Sequence, residues 1–224
     1  MMVMILAAGR GERLRPLTDT VPKPLIEVQG RALIEHHLYR LAADGFTEVV
    51  INVAWLADKI KMRLGDGSRY GVHIRYSEEP QAALETGGGI LKALPLLGAG
   101  PFLVVSADIY TDFPFAGLET ALADDDLTHL VMVPNPPQHH AGDFVLDNHG
   151  RLHAEGTPRL TYAGIGVHRP EFFNECSPGR FPMLPWWQRA MRAGRVSGEL
   201  YAGRWQDIGT PASLRALSAL SSDS

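Results

Sequence analysis

The chain has 224 residues, 45% of them apolar and 21% charged, a mix that suits a globular enzyme with one sizeable core. Its formal net charge of −4 offers a polyanion no general attraction, so no nucleic-acid partner is expected. The single cysteine, Cys176, rules out an internal disulfide framework and fits the cytoplasm, and no apolar run approaches the about 20 residues that span a bilayer.

Met1–Leu6 is apolar but short, lacks a basic leader and runs into glycines, which predicts a buried first strand over 3–7 rather than a signal peptide. A polar Gly/Arg loop follows. Apolar spacing predicts a helix over 32–43, stopped at Asp44-Gly45, then a strand over 48–53 and a helix over 55–64. A third strand is expected over 72–76, and a helix opening at Gly88 and ended by Pro95. Phe102–Ser106 is fully apolar up to its last residue, as a central parallel strand buried on both faces requires. A helix over 118–123 and a strand over 130–133 complete this alternation, which argues for a doubly wound α/β sheet. After Asn135-Pro136-Pro137 the texture changes to short strands over 144–146, 152–154 and 160–167. Helices are expected over 170–173, 184–193 and 211–220, with a hairpin-like return over 196–205. Neither repeats nor a Gly/Ser linker interrupt residues 1–224, which read as one domain.

The most informative stretch is Leu6-Ala7-Ala8-Gly9-Arg10-Gly11-Glu12-Arg13-Leu14-Arg15-Pro16-Leu17-Thr18. It begins where the first strand ends, the usual place for a ligand in an open α/β sheet. Small residues let the backbone approach a ligand, successive N–H groups can form an anion nest, and Arg10, Arg13 and Arg15 add charge. A dinucleotide fingerprint would need glycine where Leu14 stands, and a Walker loop would need Gly-Lys-Ser/Thr. Downstream, Val21-Pro22-Lys23-Pro24-Leu25 holds Lys23 between two prolines, which fixes its direction.

Together, Leu-Ala-Ala-Gly-x-Gly-x-Arg-Leu-x-Pro-Leu-Thr and Pro-Lys-Pro-Leu resemble the signature of the sugar-phosphate nucleotidylyltransferases over residues 6–25. That family includes glucose-1-phosphate thymidylyl- and uridylyltransferases and mannose-1-phosphate guanylyltransferases. The resemblance implies a Rossmann-like, mixed but mainly parallel sheet with an inserted sugar-binding layer. It further implies that residues 1–134 mainly bind nucleotide, and that 135–224 mainly bind sugar and close the fold. Lys23 and Arg13 would steady the phosphates, and Leu6, Ala7, Ala8, Gly9, Gly11 and Glu12 would line the nucleotide.

Two aspartates carry the metal expectation. Asp108 follows the strand Phe102–Ser106 and so reaches the rim of the Gly/Arg loop; by itself it also reads as a turn cap. Asp207 precedes Gly209-Thr210-Pro211, too far upstream to cap the helix that Pro211 opens. In the family, a strand-end Asp and the Asp of Trp-x-Asp-x-Gly-Thr bind Mg²⁺, so Asp108 and Asp207 are expected to do so here, with Asp108 also catalytic.

Gly87-Gly88-Gly89 at a helix start costs helix stability, about 1 kcal/mol per glycine, which suggests close approach to something flat or bulky. Glu79, Thr86 and Gly87 match the family's base-contacting segment, although Glu85 stands where the family has Gly. For the sugar, Asn52, Gly142, Asp143 and Glu155 are the expected contacts, with Asp108 and Asp207, and Tyr162-Ala163-Gly164-Ile165 resembles a wall of that pocket. The family's Glu-Lys-Pro is replaced by Glu155-Gly156-Thr157-Pro158, leaving Arg159, Arg204 or the metal to meet the sugar phosphate. His139-His140 reads as a solvated loop, and the nine histidines show no zinc spacing.

Short length with no β-helix extension resembles the bacterial members that act on UTP and N-acetylmuramate 1-phosphate in cell-wall sugar recycling, and a monomer is expected. Glucose-, mannose- and choline-phosphate transferases using other nucleotides remain alternatives, as does a non-catalytic nucleotide-sugar sensor.

Overall fold

The structure, a computed structural model, describes residues 1–80 and 83–219. In chain order the strands are β1 (Met2–Leu6), β2 (Glu27–Val28), β3 (Arg31–Ala32), β4 (Glu48–Val53), β5 (His73–Glu78), β6 (Phe102–Ser106) and β7 (Ile109–Thr111). They continue with β8 (Thr128–Val133), β9 (Val145–Leu146), β10 (Leu152–His153), β11 (Thr161–His168), β12 (Val196–Leu200) and β13 (Trp205–Asp207). The α-helices are α1 (Leu17–Thr20), α2 (Leu33–Ala43), α3 (Ala57–Leu64), α4 (Glu85–Leu97), α5 (Leu184–Arg192) and α6 (Pro211–Ala219).

Seven strands build one sheet in the order β12-β8-β11-β6-β1-β4-β5. Only β11 runs against its neighbours β8 and β6; every other pairing is parallel. The period of two along each strand divides the core between two faces. Val3 and Ile5 of β1 pack with Ile34, Leu38 and Leu41 of α2 and with Ile60 and Leu64 of α3. Met4 faces the other way, into a second cluster that holds Ile90, Ala93 and Leu97 of α4 and, under the later strands, Trp187 and Met191 of α5. Burial of each such large side chain contributes about 1.5–3 kcal/mol, and helices on both faces make the sheet doubly wound, mixed and mainly parallel.

A two-stranded ribbon positions the site. After β6 the chain turns through Ala107, whose N–H donates to the Leu6 carbonyl at 3.1 Å, and through Asp108 into β7. There β13 pairs antiparallel with β7, placing Asp207 opposite Ile109, and the Ile208 N–H donates to the Asp108 carbonyl at 2.9 Å. Two aspartates about one hundred positions apart in sequence thereby become neighbours.

Several expected elements differ in the structure. β6 is parallel to β1 on one side only, because β11 lies against its other edge. α4 begins at Glu85 and passes through Pro95 to Leu97; Pro95 lies in the last turns, where the Gly98 N–H still reaches the Leu94 carbonyl at 3.1 Å. Phe115–Thr120 and Pro170–Phe173 are 3₁₀ turns. The stretch 196–205 is no hairpin, since β12 joins the main sheet beside β8 whereas β13 pairs with β7. The last helix was expected to reach Leu220, which lies outside the described residues. Among the described residues no helix is long and apolar enough to cross a membrane.

Candidate active site

Because β1 and β6 are parallel neighbours, the loops that follow them share one rim of the sheet. Two cavities open there. One, of about 220 Å³, is lined by Leu6, Ala8, Gly9, Lys23, Asn52, Glu79, Thr86 and Asp108, among others. The second, of about 360 Å³, is lined by residues that include Arg13, Asp108, His139, Tyr162, Gly164, Trp205 and Asp207. Ser106 and Asp108 belong to both.

Charge is concentrated where the cavities meet. Lys23, only 8% exposed, lies in a 3₁₀ turn between its two prolines, and its Nζ donates to Asp108 Oδ2 at 2.5 Å. Arg13 Nη2 stands 4.0 Å from Asp207 Oδ2. Burial pushes the Asp207 carboxyl above its ordinary range, the nearby Asp108 charge adds to the rise, and Lys23 and Arg13 oppose it. Such a carboxylate pair, with its hard oxygen donors, is suited to a divalent cation shared with phosphates. Among the described residues no group of three or more His, Cys, Asp or Glu forms a protein-only metal cage.

Second-layer contacts hold this arrangement. The Ala7 N–H donates to Asn52 Oδ1 at 2.7 Å, and Asn52 Nδ2 donates to Glu79 Oε1 at 2.6 Å. Glu79 Oε2 in turn accepts the Leu84 N–H at 2.7 Å. From beneath, the buried His37 Nε2 bonds the Ile109 carbonyl at 2.9 Å; burial lowers its pKa to about 4, so the ring is neutral at physiological pH. Gly209 leaves room above the ribbon, since a Cβ there would lie 2.6 Å from Arg13 Nη2 and 2.7 Å from Asp207 Oδ2.

The expected site residues separate into those the fold gathers and those it uses elsewhere. Leu6, Ala8, Gly9, Lys23, Glu79 and Thr86 line the smaller cavity, and Ala7 is tied to that wall through Asn52. Gly11 packs against the Lys23 stem. Glu12 faces solvent, 3.5 Å from Arg10 and 3.7 Å from Arg15. Those two arginines also pair with Asp19, and Arg10 lies 4.2 Å over the Trp55 ring, so the loop's positive charge is largely committed within the loop. Arg13, expected to steady the phosphates, lines the larger cavity.

Three expectations need correction. Asn52, expected to face the sugar, stands in the smaller cavity and braces the loop after β1. The Gly87–Gly89 run serves the protein's own packing: a Cβ on Gly87 would fall 2.3 Å from the Phe181 ring, and one on Gly88 2.1 Å from the Gly179 carbonyl. The Gly87 and Gly88 N–H groups are likewise engaged, both donating to the Phe181 carbonyl at 3.0 and 3.2 Å. His139 and His140 lie in the expected loop, with His140 exposed, but His139 also lines the larger cavity and bonds Asp143 at 3.0 Å. Of the remaining sugar-side residues, Asp143 supports His139 and accepts the Tyr162 N–H at 2.8 Å. Gly142 packs on Asn135 and Arg159, while Glu155 is exposed. Arg159 spends its guanidinium on the carbonyls of Gly156 and Ala154. Neither Arg159, Arg204 nor Glu155 belongs to either cavity lining.

Comparison with known proteins agrees with this geometry. A family model described as Nucleotidyl transferase matches residues 2–153. The N-acetylmuramate alpha-1-phosphate uridylyltransferase of Neisseria meningitidis is 51% identical over 226 residues, covering 98% of each chain. The protein of the same name from Caulobacter vibrioides is 36% identical, covering 94% of this chain and 92% of its own. Among solved structures, a Bacillus anthracis protein described as a glucose-1-phosphate thymidylyltransferase superposes with a TM-score of 0.86 at 21% identity, over 100% of this chain and 96% of that one. That likeness is one of fold.

Proposed function

Since the chain belongs to the nucleotidyl transferase family, we propose that it transfers the uridylyl group of UTP to N-acetylmuramate 1-phosphate, releasing pyrophosphate, as a cytoplasmic, monomeric enzyme of cell-wall sugar recycling. The observation that carries this is Asp108, shared by two adjoining cavities and held by Lys23. A nucleotide in the smaller cavity and a sugar phosphate in the larger would bring their phosphates to that common wall. The identity of the nucleotide and the sugar is supported by the two relatives that bear the uridylyltransferase name.

The reaction is an in-line displacement. An oxygen of the sugar phosphate forms a bond to the α-phosphorus, and the bond from that phosphorus to the β-phosphate bridging oxygen breaks on the opposite side. The attacking phosphate is already anionic near neutral pH, so no side chain needs to remove a proton. Catalysis is then positioning and charge stabilisation. Lys23, buried and directed by its prolines onto Asp108, would offer its ammonium to the charge that accumulates on the α-phosphate. Arg13, two-thirds exposed and held only at 4.0 Å by Asp207, is placed to meet a phosphate entering beside that aspartate. Asp108 and Asp207 would hold Mg²⁺, which when bound neutralises phosphate charge.

The test is a pyrophosphate-release assay with UTP, CTP, GTP and dTTP against N-acetylmuramate, N-acetylglucosamine, glucose and mannose 1-phosphates. UTP with N-acetylmuramate 1-phosphate should give the highest kcat/KM. Preference for another nucleotide or a neutral sugar would replace the substrate assignment. Thermal stabilisation by UTP with no turnover of any pair would make the chain a nucleotide-sugar sensor.

A further inference from the structure

The wall formed by residues 136–139 is the part of the larger cavity that phosphate chemistry leaves without a role. Its floor is β11. At one end, Gly164 lies against Ser106, so closely that a Cβ would stand 2.9 Å from Ser106 Oγ. At the other, Thr161 pairs with Val133 of β8, and its hydroxyl donates to Asn135 Oδ1 at 2.8 Å. Tyr162 and Ala163 line the cavity between those ends. A hexose whose phosphate meets Asp108 and Asp207 therefore lies along β11 with its far carbons toward the 136–139 wall.

His139 is mounted there for contact. Its Nε2 bonds Asp143 Oδ1 at 3.0 Å, and Asp143 Oδ2 accepts the Tyr162 N–H of the floor strand at 2.8 Å. The imidazole is thus anchored to β11 through a carboxylate, while 42% of its side chain stays accessible. Arg13, a permanent cation in the lining of this cavity, is drawn to Asp207.

N-acetylmuramate differs from N-acetylglucosamine by a lactyl ether that ends in a carboxylate. Desolvating that charge is costly unless a donor or cation meets it. An imidazole has two ring nitrogens able to donate to carboxylates, and with Nε2 of His139 on Asp143 the Nδ1 remains to meet a second. We propose that His139, seated on Asp143 at the distal end of the β11 floor, is a specificity-determining residue that recognises the lactyl carboxylate of the sugar substrate. The inference rests on the substrate assigned above, and Gln138 beside it in the cavity lining supplies an amide to the same group.

The experiment is the ratio of kcat/KM for N-acetylmuramate 1-phosphate over N-acetylglucosamine 1-phosphate, with UTP saturating. It is measured for the wild-type chain, His139→Ala and His139→Lys, with thermal melts to confirm folding. His139→Ala should lower the ratio at least tenfold, chiefly through KM for the acidic sugar, and His139→Lys should restore most of it. A wild-type ratio near one would overturn both the substrate assignment and this inference. A high wild-type ratio that survives His139→Ala would overturn this inference alone. If His139→Ala were unfolded, the ratio in Asp143→Asn, which leaves the imidazole without its supporting charge, should still fall; an unchanged ratio there refutes the role.

Discussion

Replacing Asn52 with Ala should destabilise the protein by about 3 kcal/mol, because one amide holds two separate parts of the site. Asn52 is 3% exposed, accepts from the Ala7 N–H at 2.7 Å and donates to Glu79 at 2.6 Å. Loss of a neutral hydrogen bond costs about 1 kcal/mol, and loss of one to a charged group about 1.5–3 kcal/mol. For a chain of this length each kcal/mol moves the melting temperature by about 2–4 °C, so the expected drop is about 6–12 °C. Differential scanning calorimetry measures it, and KM for UTP should rise, since both anchored segments line the nucleotide side. Asn52→Asp is the sharper variant. At pH 8 it sets a second carboxylate against Glu79 and should be at least as destabilising as Ala. On lowering the pH it should regain stability relative to Ala as one proton comes to be shared by the pair. A drop under 2 °C for Asn52→Ala, or a pH-independent Asn52→Asp, would refute the bracing role.

Three further outcomes follow from the site and its supports. Lys23→Ala and Asp108→Asn should keep the fold and cut kcat at least a hundredfold, since losing one electrostatic contact in a transition state costs about 3–4 kcal/mol; normal turnover in either folded variant would remove that residue from the reaction. Burial and Asp108 raise the Asp207 pKa while Lys23 and Arg13 oppose them, so Asp207 takes up a proton at higher pH than an ordinary carboxylate. The Mg²⁺ concentration for half-maximal rate should accordingly climb as pH falls toward the raised Asp207 range, earlier than for an ordinary carboxylate, and a profile that stays flat down to that range would contradict the metal assignment. Away from the site, burial would raise Glu35, but hydrogen bonds from Arg63, the Ala32 N–H and the Tyr70 hydroxyl hold it at about 2 against 4.5. The stability this confers is complete above the unfolded value and is lost as pH falls toward 2. Glu35→Gln should therefore cost about 2–3 kcal/mol at pH 7, after discounting for the half-exposed Arg63, and the difference from wild type in urea unfolding should shrink between pH 5 and 3.

Local chemistry made much of this legible in advance. Phe102–Ser106 reads as a buried strand from its own side chains, and the Gly/Arg loop with Lys23 between prolines, adjacent in sequence, marks the rim on which the cavities open. What stayed hidden depends on distant partners. Gly87 and Gly88 of α4 answer to Phe181 and Gly179, over ninety positions away, so a packing requirement looked like room for a ligand. Residues 196–205 looked like a hairpin because both halves are strands, yet each pairs with a separate earlier strand. His139 resembled a loop residue because its meaning comes from Asp143 being fixed to Tyr162. The hydrogen bond of His37 to Ile109 left no signal beyond an apolar helix face that included a histidine.

The partition shared by the two cavities has a consequence for inhibitor design. Ser106 and Asp108 are the common wall, so a uridine-like head and a sugar-like tail joined by a short linker across it would occupy both chambers as one molecule. Once the first group is seated, the second experiences a local concentration of order millimolar, and such tethering can exceed either fragment's affinity by about 10²–10⁴. Two weak fragments discovered separately would therefore be worth joining at that point.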